Sequence, residues 1–181
     1  GSGTTTITFN YVVAIGQVSS DLDYTSKDAL ILNEGIAFIK DATGNNAILE
    51  LPNPGDLNSL GANKALVIDT SGPTIKSVTS TTADGAYNSG ESINVSVTFS
   101  ESIIVTGTPQ ISMETGLTDG VANYVSGSGS KVLSFNYRVA SNHISLDLAY
   151  KDPTALILNA GTIKDNFSNE AELTLPPPGK T

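Results

Sequence analysis

The chain has 181 residues, 39% of them hydrophobic, and nine Lys and Arg against 18 Asp and Glu give it a net charge of −9. That length sets one or two domains, and basic residues this few and scattered make no phosphate-binding patch, so nucleic acid is not an expected partner. No apolar run approaches the ~18 residues of a membrane helix, which predicts no membrane insertion. The chain opens on Gly1-Ser2-Gly3 with neither a basic start nor an apolar stretch, as a mature or excised segment does. There is no cysteine, so stability must come from core burial, repeat stacking or bound metal.

In chain order, the first signal is alternation. Ile7, Phe9, Tyr11 and Val13 recur every second residue, the period of a half-buried strand. The blocks that follow prove to be half of an internal repeat. GSGTTTITFNYVVA at Gly1–Ala14 returns as GSGSKVLSFNYRVA at Gly127–Ala140. SSDLDYTSKDALILNEG at Ser19–Gly35 returns as SLDLAYKDPTALILNAG at Ser145–Gly161. IKDATGNNAILELPNPG at Ile39–Gly55 returns as IKDNFSNEAELTLPPPG at Ile163–Gly179. About half the aligned positions are identical, with a two-residue insertion near Ile36–Phe38, and the period of about 125 residues is that of a whole domain and not of a solenoid turn.

Thr74–Ser126 has no upstream partner, and the tail LGANKALVIDT at Leu60–Thr70 follows the first copy only. Residues 1–70 therefore read as the C-terminal half of a repeat, incomplete and in need of partner strands. Residues 71–181 read as a full repeat. Strands are predicted to start near Thr74, Ser92, Gln110, Ala122, Lys131, Thr162 and Ala171. The longer loop Ser141–Asn159 would carry an extended piece at Leu146–Tyr150 and a turn of helix near Pro153. No window has a helical stripe, and Gly, Asn, Asp and Ser clusters punctuate the chain as turns do. The predicted class is all-β, a two-sheet Greek-key sandwich of about seven strands.

The pieces TADGAY, VTFSE, TGTPQ, SGSG, DLDYTS, LNEG, IKDATGNNA and VIDTSGP carry a resemblance. Together they resemble an immunoglobulin-like tandem repeat of large secreted, adhesin-type bacterial surface proteins. The resemblance covers essentially the whole chain. It implies an extracellular, cell-surface β-sandwich in tandem arrays and no particular ligand. In the second copy, Ala149 replaces an Asp of DLD and NFSNE replaces ATGNN.

No catalytic constellation is present. His143 is the single histidine, and no serine sits in a GxSxG elbow. The chain is not expected to be an enzyme. Calcium is the cofactor to consider, since hard cations take oxygen ligands from converging carboxylates. In a sandwich of this topology the loop after the second strand, carrying Glu101, lies at the end where the chain enters through Asp69. The turn carrying Asp165 lies at the same end. Asp21 and Asp23 of the first copy would face them across the linker.

The leading function is a structural stalk or filament module, rigidified by calcium at the repeat junction. Its partners would be neighbouring repeats or adjacent identical subunits that complete its strands. The alternatives are an adhesive, ligand-binding module or an accessory domain of a secreted carbohydrate-active protein. The absence of Trp counts against sugar stacking.

Overall fold

The computed structural model describes residues 2–33 and 37–179; Ile36, at the insertion between the copies, lies outside them. The chain divides into two units, Gly1–Ser71 and Gly72–Thr181.

The first unit carries little regular structure. Strand β1 (Val18–Ser19) pairs antiparallel with β2 (Ile68–Asp69), and a four-residue helix, α1 (Leu60–Asn63), precedes β2. Ser59 caps α1, its hydroxyl accepting from the Ala62 amide. The tail therefore folds back along Val18–Leu22, where the Leu22 amide donates to the Leu66 carbonyl at 2.7 Å.

The second unit is an all-β sandwich. Its strands are β3 (Ile75–Thr79), β4 (Ser92–Thr106), β5 (Gln110–Glu114), β6 (Gly120–Ser126), β7 (Ser130–Arg138), β8 (Ala149–Tyr150), β9 (Leu156–Ile157) and β10 (Thr162–Lys164). One antiparallel sheet runs β10-β4-β7-β6-β5-β8, with β3 added on β4 and β9 on β5. Because side chains alternate across a pleated strand, Val95, Val97 and Phe99 of β4 and Leu133, Phe135 and Tyr137 of β7 all turn inward. They are buried with Ile103, Ile111, Met113, Leu156, Ile163 and Leu175. Each such side chain contributes about 1.5–3 kcal/mol on burial.

Two strand assignments differ from the sequence reading. The expected loop after the second strand does not exist. Strand β4 runs on through it, its register shifting between Thr98 and Ile103 as it leaves β3 and begins to pair with β10. Glu101 sits inside that long strand. The expected strand from Ala171 is instead an extended stretch held by separate bonds, from Ala171 to Ile163, Glu172 to Pro73 and Leu175 to Pro153. Pro176–Pro178 lack amide hydrogens and cannot extend a ladder. Elsewhere the local chemistry is plain. Gly127 has φ +115°, and an added Cβ would lie 2.1 Å from the Val132 carbonyl oxygen, so only glycine turns β6 into β7 here.

The two back halves share one scaffold. The Ala47 amide bonds the Ile39 carbonyl at 2.9 Å, and Ala171 bonds Ile163 at 3.0 Å. Leu51 bonds Lys27 at 2.8 Å, and Leu175 bonds Pro153 at 2.9 Å. The Tyr24 hydroxyl donates to the Pro52 carbonyl, and Tyr150 donates to Pro176. What differs is burial: in the first unit the apolar residues of this scaffold are largely exposed, Phe9 by 70%.

Candidate functional site

Asp165 starts the turn after β10. Its Oδ1 accepts the amides of Phe167 and Asn169, each at 2.8 Å, and its Oδ2 accepts the Asn169 side-chain amide at 2.7 Å. An Asx turn of this kind satisfies backbone donors a tight turn would otherwise leave open. The carboxylate is only 3% exposed. Its counterpart in the first unit is built alike. Asp41 accepts from the Thr43 and Asn45 amides, the Thr43 hydroxyl and the Asn45 side chain at 2.8–2.9 Å. Those bonds, the Asn45 side chain foremost, hold the Asp41 carboxyl down at about 2. The change from ATGNN to NFSNE therefore leaves the turn intact, because Asp and the Asn four residues on are kept.

Glu101 lies where β4 crosses from one set of partners to the other. Just before it, Ser100 exchanges backbone and side-chain bonds with Thr74, and its carbonyl accepts from Lys131 Nζ at 3.3 Å. The crossing carries the half-buried Glu101 to Asp165, and carboxylate oxygens of the two lie within 4.8 Å. Two carboxylates so close repel unless a cation or donors lie among them.

The other expected ligands stand in the first unit. Asp69 ends β2, and its Oδ1 accepts the Ser71 amide at 3.0 Å. Asp23 works within its own unit: its carboxylate accepts the amides of Tyr24 and Gly55, at 2.9 and 3.0 Å. Partial burial raises its pKa, yet these bonds together with those from Gly61 and Ser59 leave it lowered. Asp23 thus ties the DLD stretch to the α1 turn. Asp21 is exposed one turn earlier.

His143 has a structural task. Its Nδ1 accepts the Ala140 amide at 3.3 Å and lies 2.6 Å from the Tyr137 hydroxyl, with the rings stacked. In the first copy Gln17 stands at that position, and its Oε1 accepts the Ala14 amide at 2.7 Å. Two residue types thus close one turn, a match that the alignment alone could not reveal. An open groove of about 1180 Å³ runs past Tyr87, Met113, Tyr137, His143, Leu148 and Tyr150. Its tyrosine hydroxyls are already engaged, Tyr87 with Ala83, Tyr137 with His143 and Tyr150 with Pro176.

Among the described residues no helix is long and apolar enough to cross a membrane. No family model, curated protein or solved structure matches this chain.

Proposed function

We propose that this chain is a structural module of an extracellular bacterial surface protein or filament, built from tandem copies of one immunoglobulin-like sandwich, and that it is not an enzyme. The observation that carries this reading is the shared scaffold. One back-half framework occurs twice, a domain length apart, with its Asx turn, Tyr–Pro bond and capped Ala turn intact. Repetition of a whole domain serves reach and stiffness.

In this reading calcium stiffens the repeat junction. Glu101 and Asp165 of the second unit would supply two carboxylates, and Asp69, on the linker three residues ahead of Gly72, would supply a third. The turn bonds hold Asp165 in place before any ion arrives, which lowers the cost of ordering a ligand. Calcium would complete its six to eight oxygens with backbone carbonyls and water.

The test is thermal melting and small-angle scattering of the full chain in calcium and in chelator. Calcium at about 100 times its Kd stabilises a folded-state site by about 2.7 kcal/mol, and Glu101→Gln should abolish that gain. Melting and dimensions that ignore calcium would remove the metal from the proposal. A measured hydrolytic or transfer activity would remove the structural reading itself.

A further inference from the structure

The first unit presents an apolar face whose counterpart in the second unit is covered. Ile7, Phe9 and Tyr11 are 46%, 70% and 55% exposed, whereas Leu133, Phe135 and Tyr137, at the same places in the repeat, are 0%, 0% and 2% exposed. In the second unit the strand carrying these residues has neighbours on both edges. β7 lies between β4 and β6, with Val97 opposite Leu133, Val95 and Tyr124 opposite Phe135, and Ile93 and Ala122 opposite Tyr137. Among the described residues of the first unit, Ile7–Val13 belongs to no strand ladder. Yet the rest of that back half already holds the covered form's framework, in its Ala47–Ile39, Leu51–Lys27 and Tyr24–Pro52 bonds.

We propose that this face is a docking surface for one occupant, the front half of the same repeat: a polypeptide with the strand sequence of Gly72–Ser126. It docks in the register of the second unit, with Ile7, Phe9 and Tyr11 opposite the equivalents of Val97, Val95 and Ile93. The mode is strand addition to open edges, with alternate side chains closing the core.

The interface is already seen inside this chain, between Gly72–Ser126 and the back half that follows it, and the repeat makes the two faces equivalent. The front half present in this sequence, Thr74–Ser126, is already engaged with Leu133, Phe135 and Tyr137, and a second copy that lent its own would uncover those residues. The occupant is therefore a further front half, and this holds whether or not calcium binds.

The experiment joins a second Gly72–Ser126 segment ahead of Gly1 in the full chain and follows amide hydrogen exchange. Exchange at Phe9 and Tyr11 should slow by about a thousand-fold or more, as expected of strands that open only by global unfolding. Val97→Asp in the added segment alone should reverse this. The amides of Phe135 and Tyr137 report, in the same molecule, that the second unit is folded. If they stay protected while Phe9 and Tyr11 exchange as in the unmodified chain, the proposal fails. Should the joined chain prove insoluble, the segment is added in trans to the unmodified chain, and absence of protection there also overturns the proposal. A second arm concentrates the unmodified chain alone. Phe9 and Tyr11 should stay fast at every concentration. An oligomer protecting them together with Phe135 and Tyr137 would show that a second copy can fill the face.

Discussion

Phe9 and Phe135 stand at the same place in two copies of one sequence, within the same FNY triplet, and only Phe135 is buried. A few residues further along, the copies behave alike. Gln17 closes the turn at Ala14 as His143 closes the turn at Ala140, and Asp41 organises its loop as Asp165 does. The comparison separates two kinds of structure. Turns and caps join groups a few residues apart, so each back half makes its own. Burial of an alternating strand needs neighbours on both edges, which for β7 are β4 and β6 of the front half. The first unit keeps the former and lacks the latter.

The largest expected effect tests this directly. Phe135→Ala should cost the second unit about 3–5 kcal/mol, the usual penalty for emptying an aromatic site in a packed core. Phe9→Ala should change stability by no more than about 0.5 kcal/mol, as substitutions on open surface do. Urea unfolding of the full chain measures both. Equal losses would mean that the first unit has a closed core after all.

The turns should divide the units less sharply. Asp165→Ala strands the amides of Phe167 and Asn169 next to a buried position, at a cost of about 1–3 kcal/mol. Asp41→Ala opens its loop to water, so the full chain's unfolding midpoint should move less. A larger shift for Asp41 than for Asp165 would invert the assignment of which turn supports a core.

The smallest effect sharpens the claim that the first unit's turns form unaided. The Asp41 carboxyl is held at about 2 against a usual 3.8, chiefly by the Asn45 side chain. A carboxyl lowered on folding stabilises the folded loop above 3.8, and that contribution fades as pH falls through 2. Its NMR titration midpoint should lie near 2. A midpoint close to 4 would show that the Asx turn is absent without front-half strands.

Much of this was legible in the chain itself. The internal repeat, the alternation in β4 and β7 and the all-β class follow from residue types and spacing, because strand period and turn chemistry are local rules. The Asp165 turn was legible too, since Asp with Asn four residues on writes its own hydrogen bonds. Other features were decided only by the fold. Glu101 reads as a loop residue after TFS, but β3, β7 and β10, from distant stretches of the chain, pair along β4 and carry the strand through it. Ala171–Leu175 reads as a strand but finds isolated partners instead of a continuous ladder. The bonds of Asp23 to the Gly55 amide and the α1 turn likewise come from the returning tail and are not visible in its local sequence. In each case a long-range partner decided the outcome: hydrogen-bond geometry a few residues wide is written in sequence, whereas which edge a strand meets, and which face is covered, depends on chain brought from far away.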